Sequence, residues 1–88
     1  MTTIWKFRVD VVDTGIVNMP AGAEVLCVQL QDDVPWVWVK ADDEAPLVAR
    51  VFHWRGTGHH LGDVGRYIGT VQQLGGALVF HLFEGVWP

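Results

Sequence analysis

Between Arg50 and Thr70 the chain reads RVFHWRGTGHHLGDVGRYIGT, a strand dense in aromatic and basic residues that runs into a glycine- and histidine-rich loop and a second strand. Gly56, Gly58, Gly62 and Gly65 free the backbone for φ > 0 or for close approach to another group. Arg55, His59, His60 and Arg66 stand among them. Such a segment can hold an anion: successive N–H groups in a glycine-rich turn form a nest for phosphate oxygens, and a guanidinium adds bidentate, charge-assisted hydrogen bonds. Trp54 or Trp38 adds a face on which a base stacks, worth about 1–3 kcal/mol. The expected ligand-binding set is Trp54, Arg55, Gly56, Thr57, Gly58, His59, His60 and Arg66, for a small phosphate-containing ligand. The plainer reading is a structural loop, with glycines serving turns and tryptophans serving the core.

Other chemistries find less support. His53, His59, His60, His81, Cys27 and Asp63 include zinc-binding atom types, but no paired cysteines and no HExxH spacing accompany them, so neither a metal nor a cofactor is expected. The chain has no serine, and Cys27 lies within an apolar strand, where a structural thiol is inert. Asp32-Asp33 and Asp42-Asp43-Glu44 fall where turns are expected and read as solvated turn formers. A phosphodiesterase using His59 or His60 as general acid–base is the enzymatic alternative, weakened by the lack of a third group to orient the base. No catalytic residue is assigned.

The elements that must position these residues follow from composition and periodicity. Eighty-eight residues, 50% hydrophobic and 18% charged, make one folded domain spanning 1–88 with a modest core. A formal net charge of −4 with only six Lys and Arg argues against a polymeric nucleic-acid partner. No apolar run is long enough for a membrane helix, no basic start precedes an apolar segment, and the lone Cys27 cannot form an internal disulfide. A cytoplasmic protein without a membrane partner is expected.

Alternation predicts strands at Thr3–Val9, Glu24–Gln31, Trp36–Lys40, Leu47–Arg55, Arg66–Leu74 and Ala77–Glu84, with Gly75-Gly76 as a hairpin turn. Asp13–Ala23, rich in Gly, Asn, Asp and Pro, reads as a loop with at most a short extended piece at Ile16–Met19. No helical period lasts ten residues. The expected fold is all-β: a compact antiparallel meander of about six strands forming a small barrel or sandwich. Trp5, Phe7, Leu26, Val28, Leu30, Val51, Ile68, Phe80 and Leu82 are the expected core, with Gln29 and Gln31 outward. Several strands are apolar on both sides: Trp36 and Trp38 oppose Val37 and Val39, and Leu78, Phe80 and Leu82 oppose Val79 and Phe83. Apolar patches of that kind on a small domain predict a homo-oligomer.

Several stretches taken together resemble a known group. Trp5-Lys6-Phe7, Met19-Pro20-Ala21-Gly22-Ala23 ahead of a strand with Val28-Gln29, Gly56-Thr57-Gly58-His59, Tyr67-Ile68-Gly69-Thr70 and the closing LGGALVFHLFE of residues 74–84 resemble a family of small phage and prophage accessory proteins of uncharacterised function. The resemblance covers nearly the whole chain, which departs from it in carrying Trp36-Val37-Trp38 and His60 where less bulky and less basic residues are expected. It implies a viral accessory protein in the cytoplasm of an infected bacterium and carries over no catalytic residue. Small oligomeric β-rich phage proteins include sponges for the nucleotide signals of anti-phage immunity. By that analogy the expected function is sequestration of such a nucleotide without turnover, near a subunit interface. The alternative is a protein–protein inhibitor or small structural component that docks a tryptophan-rich surface on a host or virion protein. A nucleotide-signal hydrolase is the third reading.

Overall fold

The structure, a computed structural model, describes residues 1–85. Seven strands follow one another: β1 (Thr2–Arg8), β2 (Thr14–Pro20), β3 (Glu24–Gln31), β4 (Val34–Asp42), β5 (Leu47–Gly56), β6 (Arg66–Gln73) and β7 (Leu78–Gly85). One 3₁₀ turn, Leu74–Gly76, links β6 to β7, and no α-helix occurs among the described residues. The strands form two antiparallel sheets, β1-β4-β3 and β2-β5-β7-β6. The all-β expectation holds, as a sandwich rather than a closed barrel. β3 lies against β6 along one side, while β1 and β2 approach each other only slightly along the other.

Thr14–Pro20 is a full strand, where the sequence predicts a loop. Its Gly15, Asn18 and Pro20 weaken any local preference for a strand, but its partner β5 supplies seven consecutive pairs from Thr14↔His53 to Pro20↔Leu47. Val17 and Met19 thereby face the core, and Met19 is fully buried. Pro20 is tolerated because it ends an edge strand, where a missing donor costs nothing. The β3–β4 hairpin closes at Gln31↔Val34 through Asp32 (φ 50°) and Asp33 (φ 64°). Two successive positive φ values are the requirement of a type I′ turn, and Asp is among the residues that tolerate them. Asp33 then reaches across the molecule: its carboxylate accepts the Leu74 N–H at 3.2 Å, and its carbonyl accepts Gln73 Nε2 at 2.9 Å.

The core lies between the sheets. Val37, Val39, Met19 and Leu82 are fully buried, with Phe52, Trp54, Val28 and Val71 around them. Phe7, Leu30, Ile68 and Phe80 are half-buried and pack on this cluster, as expected. Three expected core residues are not in it. Leu26 is 49% exposed because a β-bulge between Val25 and Cys27 leaves it as the extra residue, turned outward. Trp5 is 42% exposed because β1 is an edge strand, so its inward side chain stands at the open side of the sandwich. Val51 is buried, but it shares the opposite face of β5 with His53.

Leu82→Ala and Phe52→Ala should each cost about 2–5 kcal/mol in urea unfolding, the range for truncating a fully buried large side chain. Leu26→Ala should stay within about 0.5 kcal/mol of the parent, as expected of an exposed position. A Leu26→Ala loss as large as that of Leu82→Ala would contradict the bulge.

Candidate functional site

β5 delivers the glycine–histidine segment, and alternation along it separates the residues that the sequence groups together. Trp54 points into the core, 3% exposed, with its ring edge-to-face against Phe80 at 6.3 Å, so its faces are not open to a base. Arg55 points the other way and folds back on the chain. Its Nε donates to the Leu61 carbonyl at 3.0 Å, and its Nη1 donates to the carbonyls of Asp13 (2.8 Å) and Trp54 (2.9 Å). The fork is therefore engaged in fastening the 57–65 loop and the start of β2 to β5. Arg66 begins β6 opposite Glu84, 3.8 Å from its carboxylate, on the inward-facing rim. The two arginines do not converge on one site.

Gly56, Thr57, Gly58, His59 and His60 remain together as a tight turn. His59 N donates to the Gly56 carbonyl at 3.1 Å, and Gly58 has φ 85°. The His59 ring lies over Gly56 so closely that a Cβ there would sit 2.8 Å from it. Beside the turn is a groove of about 480 Å³ lined by Gly56, Thr57, His59, Ala77, Leu78, Val79 and Phe80, which is mostly apolar. The loop then returns across β7. Gly65 (φ 84°) passes so near the chain that a Cβ would meet the Glu84 carbonyl oxygen at 2.2 Å, so only glycine fits.

The imidazole held on both ring nitrogens is His81, which sequence reasoning leaves out of the site. Thr57 Oγ1 lies 2.7 Å from its Nε2 and Thr70 Oγ1 lies 2.8 Å from its Nδ1. Tyr67 Oη is 2.6 Å from Thr70 Oγ1. The chain of four side chains ties the loop to β6 and β7 across the outer face of the four-stranded sheet. His81 pairs with Thr70 in the strand register, a contact that strand alternation alone does not reveal. His53, 2% exposed, bonds Thr14 Oγ1 through Nδ1 at 2.9 Å. The acidic turn Asp42-Asp43-Glu44 behaves as the turn former it resembles: Asp42 Oδ1 accepts the Glu44 N–H at 3.0 Å. That bond, with the Met1 ammonium beside it, holds the Asp42 carboxyl below the usual carboxylate range.

A second surface is assembled on the outer face of the three-stranded sheet. Val37 and Val39 point into the core, so Trp36 and Trp38 point out, each half-buried. The register sets Lys6–Trp38–Cys27 in one row and Arg8–Trp36–Gln29 in the next, followed by Ile4–Lys40–Glu24. Lys6 Nζ lies 4.2 Å from the Trp36 ring centre and also bonds Gln31 Oε1. Arg8 Nε donates to Asp10 at 2.6 Å. Ile4, Lys6, Arg8, Glu24, Leu26, Gln29, Gln31 and Lys40 are all exposed, so nothing in the described chain covers this face. It holds both of the chain's lysines and three of its six cationic side chains. Of the other three, Arg50 and Arg55 are engaged within the fold and Arg66 stands 3.8 Å from Glu84, while on this face Arg8 is itself paired with Asp10 and Lys40 lies beside Glu24 in the register.

Because Arg55 acts through its fork, Arg55→Lys should loosen the 57–65 loop nearly as much as Arg55→Ala. Amide exchange over residues 57–65 should quicken in both variants. A Lys variant with parental exchange rates would show that charge alone, and not the three carbonyl bonds, is what matters.

No curated protein and no solved structure matches the chain. A family model does, over residues 1–87, that is, over almost the entire sequence whose two surfaces are described above. The chain therefore belongs to the DUF7352 family, a domain of unknown function.

Proposed function

We propose that this domain is a binding module that docks an acidic protein segment through the outer face of the three-stranded sheet. The observation that carries the reading is the pair Trp36 and Trp38, side by side on an uncovered sheet face and flanked by Lys6, Arg8 and Lys40. Aromatic rings with neighbouring cations are the usual anchors of protein interfaces. The face is broad, one side of a slab 39 × 30 × 15 Å, with only a shallow hollow of about 350 Å³ beside Trp38, Cys27 and Gln29. Small molecules favour concave sites that enclose most of their surface, whereas a flat face suits a macromolecule. The cations favour acidic groups, and the net charge of −4 disfavours a nucleic-acid polymer. On the resemblance to small phage and prophage proteins, the partner is a host or virion protein in an infected bacterium.

A second reading, sequestration of a nucleotide, is favoured by the groove beside Gly56–His59, whose volume is in the range of small-ligand sites. With Trp54 buried and Arg55 engaged, His59 and Thr57 are the polar side chains that the groove offers a phosphate, with His60 in the same turn but outside the groove lining. Neither stacking nor a guanidinium supports it there.

An array of acidic peptides read by tryptophan fluorescence tests the first reading. Binding should weaken at high salt. Trp38→Ala should cost at least about 2 kcal/mol, roughly 30-fold in Kd, and Lys6→Glu with Lys40→Glu should abolish binding while near-UV circular dichroism stays parental. A thermal-shift panel of cyclic and linear adenine and guanine nucleotides runs beside it. A rise in Tm that survives the lysine reversals but is lost in Gly58→Val or His59→Ala would move the function to the groove.

A further inference from the structure

We propose that the acidic segment joins the domain as an added strand along the free edge of β1. The proposal rests on the docking reading above and assigns it a backbone geometry. The sandwich has four strand edges, on β1, β3, β2 and β6. Edge strands expose unpaired N–H and C=O groups, and proteins blunt them with bulges, proline or glycine, with charged side chains, or by covering them. β3 carries the bulge at Val25/Cys27, β6 carries one at Tyr67/Gly69, and the two lie against each other. β2 contains Gly15 and ends in Pro20. β1 has neither bulge, proline nor glycine: seven residues, TTIWKFR, pair without a break from Thr2↔Asp42 to Arg8↔Trp36 and are hydrogen-bonded to β4 alone, and the edge is guarded by charge, from Lys6 and Arg8.

Its two sides specify the occupant. On the outer side Lys6 and Arg8 stand beside exposed Ile4, and on the inner side Trp5 is 42% exposed at the open seam of the sandwich. An added strand alternates in the same way, so carboxylates at every second position would lie beside Lys6 and Arg8, and apolar residues between them would cover Trp5 and Phe7. The sequence preference is therefore alternating acidic and apolar. A second copy fits poorly: antiparallel pairing of β1 with itself about a two-fold axis would gather Lys6 and Arg8 of both chains on one face, where like charges repel. The same two cations thus discourage self-pairing and attract an acidic strand, in the manner of β-augmentation.

The test uses a peptide of alternating Glu and Val long enough to span β1, and two N-methylated versions, one for each alternate set of amides. A strand bonded along one edge donates from only one set. Methylation of that set should weaken binding by about tenfold or more, and methylation of the other should leave it nearly unchanged, while amide exchange along β1 slows on binding. If the parent peptide binds in a Lys6- and Lys40-dependent way but both methylated peptides bind equally well, docking through side chains stands and the added strand is overturned. Absence of binding by the parent peptide overturns both. A sedimentation mass of two chains, with β1 amides already protected in the free protein, overturns the proposal by showing a second copy on that edge.

Discussion

Arg50 is the residue on which the two layers depend. It lies on the inward side of β5, where a sandwich otherwise holds apolar side chains, yet its guanidinium is matched on every side that faces protein. Nε and Nη2 grip both oxygens of Glu84 on β7, the latter at 3.0 Å, and Nη1 donates to the Ala23 carbonyl at 2.8 Å, just ahead of β3. One planar group thus joins neighbouring strands within one sheet and fastens that sheet to the other. The pair is largely shielded, with side chains 21% and 14% exposed, so loss of either partner would strand a charge in a poorly solvated rim. Arg66 leans toward the same carboxylate from β6, which gives Glu84 a cation on each flank.

That arrangement explains how the chain divides its few cations. A guanidinium presents five donors in a fixed fork and satisfies several acceptors at once, whereas an ammonium is a strongly hydrated point charge on a flexible stem. Arg50 and Arg55 occupy positions where two or three oxygens converge, including carbonyls that β-pairing leaves unused. Both lysines are on an exposed sheet face, where hydration of the charge persists. A protein with net negative charge consequently presents its lysines beside Trp36 and Trp38. Three cations stand on that face, with Glu24 beside Lys40 and Asp10 paired to Arg8, which leaves Lys6 as the cation nearest the two tryptophans.

Much of the fold was legible because β-alternation is a local signal. Trp36-Val37-Trp38-Val39 announces a strand apolar on both sides, and the structure sends the valines inward and the tryptophans outward. What the sequence hides is long-range. Thr14–Pro20 becomes a strand through β5, more than thirty residues away at most of its pairs, and no residue within it declares that partner. Leu26 looks inward until one bulge residue shifts the register. The candidate site suffered in the same way. Arg55 and Arg66 look like converging donors in a linear reading, but one reaches back to the Asp13 carbonyl and the other meets Glu84 on the opposite side of the sheet. His81 gains its role from Thr57 and Thr70, which belong to different elements.

The two outer faces differ in a way that bears on function. On the four-stranded sheet the chain covers itself: the 57–65 loop is fastened by Arg55 at one end and crosses Gly85 at the other, where a Cβ would lie 2.7 Å from the Val64 carbonyl oxygen. Beneath that cover Val51 and Val64 are buried, and His53 is so enclosed that its Nε2 has no hydrogen-bond partner among the described residues. An orphaned ring nitrogen is a cost accepted for closing that surface. On the three-stranded sheet no segment among the described residues performs the same task, although two tryptophans stand there and the edge strand beside them has charge but no bulge, proline or glycine to guard it. Exposed apolar side chains stand on both outer faces, Ile4 and Leu26 on one and Ile16 and Tyr67 on the other; what distinguishes the three-stranded face is that two half-buried tryptophans lie there beside both lysines, the combination on which the docking proposal rests.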